Sequence, residues 1–281
     1  MSEIEKAAQI IQDGGLVAFP TETVYGLGAD ALNPFAVARI FEVKNRPSFD
    51  PLIVHVADMR QAEILVQKFP DKALKLIEKF WPGPLTLVLP KAALVPDIVT
   101  SSLPTVAIRV PNHPLALELI RQSGRPIAAP SANPFGGVSP TTAEHVRKSL
   151  GDKVDLILNG GPCSVGVEST IIGFTEKTPT LLRPGGVSLE EIQALIGEVT
   201  IQTTAVSTPI APGQLPQHYA PTTPLLLESS LESVPAGKKI GLLTFQEPDD
   251  PSAFTWVEIL SKKGDLREAA ANLFAALRRL D

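Results

Sequence analysis

The chain has 281 residues, 44% hydrophobic and 20% charged, with a formal net charge of -5 at pH 7. That length leaves room for one large and one smaller domain around a substantial core, in the compositional range of soluble globular proteins. The acidic balance argues against broad nucleic-acid binding, and the single Cys163 leaves neither an intramolecular disulfide nor a cysteine cluster for zinc. No apolar run approaches the roughly 20 residues of a membrane helix, and the acidic start lacks the order of a signal peptide, so the expected location is the cytoplasm.

Residues 3–12 carry apolar side chains at helical spacing and stop at Asp13-Gly14-Gly15. The run 16–19 reads as a buried strand ended by Pro20, followed by a polar segment with hydroxyls, one carboxylate and two glycines. Asn33-Pro34 has the form of an N-cap with proline at the first helical position, opening a helix to about residue 43. A strand over 52–56 and helical patterns over 58–68 and 71–80 lead through Trp81-Pro82-Gly83-Pro84 to an apolar strand over 85–89. A strand over 105–110 carries Arg109, a helix spans 114–123, and a short strand over 126–130 delivers a Ser/Asn/Thr loop into a helix over 142–150. The start of that last helix suits a phosphate. Strands over 155–158, 170–174 and around 181–182 and a helix over 188–196 complete a first domain, 1–197. Residues 198–224 read as a linker, although they hold the aromatic motif Gln217-His218-Tyr219-Ala220-Pro221. Residues 225–281 form a small module of two strands and an amphipathic helix over 265–280. The whole predicts an α/β fold with a mixed sheet.

Lys44 and Arg46 reach the start of a strand opposite the hydroxyl-rich loop, the arrangement a phosphate-bearing ligand needs. A solvated helix end accounts for Lys44 equally well. Arg109 in an apolar strand requires an anion, which is either a ligand carboxylate or an Asp or Glu of the chain. Turn formation and capping account for Ser131, Asn133 and Ser139, a strand start for Ser169, and core packing for His55. Gly26-Leu27-Gly28-Ala29-Asp30-Ala31 fits a loose dinucleotide fingerprint, but the next helix begins only after the motif has passed, which ranks a dehydrogenase last. The four histidines show no metal-ligand spacing and no Gly-x-Ser-x-Gly occurs. Hydroxyls, backbone and arginines suit chemistry done by positioning and charge stabilisation.

The motifs Pro20-Thr21-Glu22-Thr23-Val24-Tyr25-Gly26-Leu27, Lys44-Asn45-Arg46-Pro47, Pro51-Leu52-Ile53-Val54-His55, Trp81-Pro82-Gly83-Pro84-Leu85-Thr86, Ala107-Ile108-Arg109-Val110-Pro111, Ala129-Pro130-Ser131-Ala132-Asn133 and Glu168-Ser169-Thr170-Ile171 follow one another as in the YrdC/Sua5 family. The resemblance runs from about Ile4 to Ile196, and the linker motif and module resemble the longer Sua5 branch. It implies a YrdC-like domain with a twisted mixed β-sheet and flanking helices, plus a smaller Rossmann-like α/β module. It also implies an L-threonylcarbamoyladenylate synthase, a nucleotidyltransferase that joins L-threonine, bicarbonate and ATP and releases pyrophosphate. The product would serve a downstream tRNA threonylcarbamoyl transferase, with no membrane and no stable direct nucleic-acid binding expected.

By the same resemblance, Thr23, His55, Arg109, the Ala129 backbone and Ser169 hold threonine, with Arg109 on its carboxylate. Arg46, Asp50, Thr105, Ser131, Ser139, Arg183 and the linker's Tyr219 hold ATP. Lys44 and Arg46 act on the phosphates, Mg²⁺ accompanies ATP, and the linker serves as a lid. The chain departs from the family pattern in two respects: Asp50 stands where Asn is expected, and the terminal module is short. The competing readings are a non-enzymatic RNA-binding module of the same fold and a carbamoyl-adenylate enzyme of the hydrogenase-maturation kind. The latter would add an acylphosphatase domain and cysteine-rich fingers, for which this sequence has no counterpart.

Overall fold

The computed structural model describes residues 1–202, 209–214, 218–227 and 239–281. A capping box between Ser2 and Glu5 starts α1 (Glu3–Gln12), which buries Ala7, Ala8 and Ile11. Asn33 accepts from the N–H groups of Phe35 and Ala36 to start α2 (Pro34–Lys44), and Asn45 ends that helix in the left-handed conformation at φ 51°. The short α3 (Met59–Glu63), α4 (Asp71–Phe80) and the single-turn α5 (Asp97–Thr100) follow. His113 caps α6 (Pro114–Ser123), Thr142 caps α7 (Ala143–Leu150), and a second capping box, Ser188 with Glu191, opens α8 (Leu189–Ile196).

Between the helices run β1 (Val17–Phe19), β2 (Gly26–Asp30), β3 (Ile53–His55), β4 (Leu85–Pro90), β5 (Thr105–Arg109), β6 (Ile127–Ala128), β7 (Leu156–Ile157), β8 (Thr170–Gly173), β9 (Thr180–Arg183) and β10 (Thr200–Ile201). They form one ten-stranded sheet in the order β10-β9-β8-β4-β5-β3-β6-β2-β1-β7. The sheet is mixed: β3 and β5 are parallel, as are β4 and β8, whereas β4 and β5, β3 and β6, and β1 and β2 are antiparallel.

Two sequence expectations are corrected here. The glycine-rich 26–30 segment is a fully buried strand rather than part of a polar loop. A Cβ on Gly28 would stand 2.7 Å from both Phe19 and Ile127, so the glycine answers to close strand packing rather than to a pyrophosphate. The expected linker also contributes to the sheet, because Thr200–Ile201 pair in parallel with β9.

The smaller module pairs β11 (Gly241–Thr244) in parallel with β12 (Trp256–Ile259). Asp265 caps the helix that follows, α9 (Leu266–Leu280). No helix among the described residues is long and apolar enough to cross a membrane.

One face of the large sheet is closed by α2, α4, α5, α7 and α8, whose buried residues share one core with Leu87, Val54 and Ile108. On the other face, α1 and α6 pack over Val17, Phe19, Ile127 and Ala129. The helices stop there. Ile53, Val88, Ala107, Ile171 and Leu182 continue the apolar surface and, among the described residues of the linker, meet Ile210 and Ala211. This half-covered face is the floor of a cleft.

Candidate functional site

Because side chains alternate along a strand, His55 and Ile53 share the half-covered face with Arg109, Ala107 and Thr105 on the neighbouring β5. A cavity opens above the carboxyl ends of these strands. Its walls include Thr23, Arg46, His55, Arg109, Ala129, Ser131 and Arg183, all expected from the sequence. Thr21, Glu168 and His218, which were not singled out as site residues, also line it.

At one end Arg109 is buried, with hydrogen bonds from two of its nitrogens and an ion pair at the third. Its Nε donates to the Gly83 carbonyl at 3.1 Å and its Nη1 to Thr23 Oγ1 at 2.9 Å. Its Nη2 lies 2.7 Å from Glu22 Oε1, with both side chains at most 5% exposed. The anion demanded by this strand arginine is therefore supplied by the chain, while the guanidinium still faces the cavity. Thr21 Oγ1 accepts from the N–H groups of Thr23 and Val24 and donates to the Val24 carbonyl, a turn that fixes Thr23 beside the arginine. His55 meets Phe19 edge-on at 5.9 Å. Burial, reinforced by the Arg109 charge, lowers its pKa to about 3, which leaves a neutral imidazole at the cavity. The Ala129 N–H is already bonded to the Ile53 carbonyl at 2.9 Å, so this backbone can offer a ligand only its carbonyl oxygen.

At the other end the cations come from loops. Arg46 donates to the carbonyls of Asp50 and Pro51 at 3.1 and 2.8 Å and pairs with Asp50 Oδ2 at 2.9 Å. Asp50 is completely buried behind Arg46 and off the cavity wall, so its charge reaches a ligand only through the arginine. Burial raises the Asp50 pKa, against the pull of Arg46. Lys44 is not a solvated helix end. It is 1% exposed, and its Nζ donates to the carbonyls of Ser131 and Asn133, pinning the loop that carries Ser131. Burial, and then the Arg46 charge, pull its pKa well below the usual lysine value.

Arg183 Nη2 donates to Ser169 Oγ at 3.0 Å and to the Ser169 carbonyl at 2.9 Å, and Ser169 Oγ lies 2.7 Å from Thr86 Oγ1. Ser169 thus orients Arg183 from beneath rather than lining the cavity. Ser139 Oγ donates to Glu168 Oε1 at 2.8 Å, while Glu168 Oε2 stands 3.7 Å from Arg183. Thr105 lies on the same sheet face as Arg109 but off the cavity wall, roughly 13 Å away along the strand at about 3.3 Å per residue. The half-buried Tyr219 has its hydroxyl beside Gly213 and Arg183, and its ring meets His218 at 4.3 Å.

A family model described as telomere recombination, covering Sua5, YciO and YrdC proteins, matches residues 9–185. A second, described as the threonylcarbamoyl-AMP synthase C-terminal domain, matches residues 187–281. The chain belongs to the Sua5/YciO/YrdC family. It is 47% identical to the threonylcarbamoyl-AMP synthase of Pyrococcus abyssi over 297 residues, covering 99% of this chain and 85% of that protein. It is 46% identical to the Bacillus subtilis protein of the same name, covering 99% of this chain and 84% of the relative. The crystal structure of P. abyssi Sua5 complexed with L-threonine superposes with a TM-score of 0.88 at 43% identity, over 99% of this chain and 85% of that one. The Sua5 likeness therefore takes in the large sheet, the linker and the terminal module together.

Proposed function

We propose that this chain is a threonylcarbamoyl-AMP synthase: it condenses L-threonine, bicarbonate and ATP to threonylcarbamoyl-AMP and pyrophosphate. The observation that carries this reading is the meeting of three arginines, Arg46, Arg109 and Arg183, with hydroxyls and a neutral histidine on one cavity wall. The same name belongs to relatives that match this chain over nearly its whole length. Threonine brings a carboxylate, bicarbonate a second anion and ATP several more, so the site must neutralise charge as it brings three reactants together.

The threonine carboxylate sits on Arg109, held in place by Glu22 and Gly83. Thr23 and the Ala129 carbonyl bind the polar groups of the amino acid. Arg46, Arg183 and the Ser131 loop receive the triphosphate, and Ile53, the residue of the apolar strip that lines the cavity, meets the nucleoside. The threonine amine attacks bicarbonate, forming the N–C bond of a carbamate with loss of water. A carbamate oxygen then attacks the α-phosphorus as the bond to pyrophosphate breaks. No covalent intermediate with the enzyme is needed.

Among the described residues no cluster of three or more His, Cys, Asp or Glu could hold a metal ion. Mg²⁺ would enter with ATP, and Glu168, the carboxylate on the cavity wall, is the residue that would face it. The ion's chemistry is charge neutralisation at the leaving pyrophosphate. The linker, through Ala211, His218 and Tyr219, shields the acyl phosphate from water, a lid role. The product, formed in the cytoplasm, passes to a tRNA threonylcarbamoyl transferase.

The test is pyrophosphate release by the purified chain with MgATP, omitting threonine and bicarbonate in turn. Release that needs both supports the synthase. Release that needs neither, or ATP binding without release under any condition, overturns it.

A further inference from the structure

The terminal helix α9 packs on the catalytic unit through Ala271, Phe274, Leu277 and Arg278, and Phe274 and Arg278 lead to the nucleotide end of the cavity. Arg278 reaches into the loop between β6 and α7. Its Nε donates to the Ser139 carbonyl at 3.2 Å, its Nη1 to Ser149 Oγ at 3.0 Å, and its Nη2 to the Val138 carbonyl. Ser139 is itself bonded to Glu168, which stands against Arg183. One turn earlier, Phe274 stacks on Tyr219 with ring centroids 5.3 Å apart and an angle of 28°. The Tyr219 ring meets His218, which lies edge-on to Phe135 at 6.2 Å, and the Phe135 ring lies 5.9 Å from the Arg46 guanidinium. Val24, Val138, Phe274 and Leu277 close an apolar cluster between the two contacts.

A surface-attached helix has no need of such reach. Arg278 donates to two consecutive carbonyls, so the contact fixes the direction of the 138–139 backbone as well as its distance, which a lysine's single ammonium cannot do. Arg278 and Phe274 are one turn apart, so both contacts are set by one rigid body. By contrast, the neighbouring Arg279 turns back into its own module, where its Nη2 pairs with Glu258 at 2.6 Å.

We infer that α9 is a positioning element of the nucleotide site, with Arg278 setting the Ser139 loop and Phe274 setting Tyr219. Neither residue touches a reactant; each acts through the group it holds. The inference rests on the synthase reading, in that it takes the wall residues Glu168 and His218, which Ser139 and Tyr219 hold, as part of the nucleotide site. It gives the terminal module a task at the existing site, with no second ligand required.

The test uses the full chain and steady-state pyrophosphate release, with ATP and threonine varied separately, beside equilibrium ATP binding by calorimetry. Arg278→Ala is expected to raise the KM and Kd for ATP roughly tenfold while the threonine KM stays within twofold, as fits the loss of about 1.4 kcal/mol of binding. Arg278→Lys recovers only part of the loss. Ser149→Ala, which removes one acceptor and leaves the helix unchanged, moves ATP in the same direction by a smaller factor. Phe274→Leu keeps ATP affinity nearer the parent than Phe274→Ala. Arg279→Ala lowers the melting temperature without changing the ATP KM. A merely structural role predicts instead that Arg278→Ala and Arg279→Ala behave alike, with both KM values unmoved, and that result overturns the inference. Should the parent chain release no pyrophosphate, the synthase reading falls, while calorimetry still decides whether Arg278 governs ATP binding.

Discussion

The two ends of the cavity are built differently. At the Arg109 end, the arginine and His55 come from adjacent parallel strands and are locked by one buried ion pair and one turn. At the Arg46 end, the groups come from the end of α2, the 131–140 loop, the end of β9 and the linker, and they are held by backbone carbonyls and by α9. The first end is preformed by the sheet. The second is assembled from segments far apart in sequence, and so a change distant from the cavity can reach ATP more readily than threonine.

The largest break in this contrast is expected at Arg109. Arg109→Ala removes the charged contact proposed for the threonine carboxylate and leaves Glu22 buried without its partner. The threonine KM should rise by roughly 10- to 100-fold, from about 1.5–3 kcal/mol for a charge-assisted bond. Stability should fall by about 3–5 kcal/mol. The double variant Glu22→Gln with Arg109→Met should regain part of that stability without regaining threonine affinity. Urea unfolding and threonine titration read the two effects apart; a double variant that binds threonine normally would remove Arg109 from the threonine site.

Next comes Arg183, which belongs to both ends because it holds Ser169 and faces the cavity. Arg183→Ala should raise both KM values, ATP by about tenfold and threonine by less, from the loss of one charged hydrogen bond. A variant that shifts ATP alone would place the boundary between the two ends beyond Ser169. A smaller effect is expected from Asp50→Asn, which removes a negative charge from behind Arg46 and nearly preserves its shape. ATP should bind about two- to threefold more tightly, equivalent to roughly 0.4–0.7 kcal/mol, because the buried carboxylate acts on the ligand only through Arg46. Weaker ATP binding would show that Asp50 is needed to hold Arg46 in place.

The same division governs what could be read from the chain alone. The helix α2 is legible from a local start signal, Asn33 before Pro34, and α1 from its apolar spacing, whereas the caps formed by Ser2 with Glu5, His113, and Ser188 with Glu191 were seen only in the structure. The strand β2 was missed because its glycines match a loop signature, and the reason for them, the rings and methyls of Phe19 and Ile127, lies on other strands. Arg109 stood out as a charge in an apolar strand, but nothing local singled out Glu22 from the chain's other acids as its partner. Glu168 was quoted within its motif without a role, since its neighbours Ser139 and Arg183 lie 29 residues before it and 15 after. The burial of Lys44 depends on the 131–133 loop, 87 residues away, while the helix end itself is typical of a solvated one. Local chemistry was visible; long-range pairing was not.

The smallest effect on activity is expected from His55, and it separates a neutral ligand from a titrating one. Its folded pKa of about 3 lies far below the ordinary histidine value of 6.5, so the folded protein binds fewer protons than the unfolded chain. His145 and His218, both lowered to about 4 chiefly by burial, act in the same direction. Stability is then full above pH 6.5 and declines as the pH falls from there toward 3, by at most about 1.4 kcal/mol per pH unit for each histidine. His55→Gln should flatten this decline in urea titrations between pH 7.5 and 5. The threonine KM of the parent should stay constant from pH 6 to 8, because the imidazole at the cavity carries no charge over that range. A threonine KM that titrates near pH 6.5, and ceases to do so in His55→Gln, would mean that the histidine gains and loses its proton in the site; Arg109 beside it would then not be the dominant charge there.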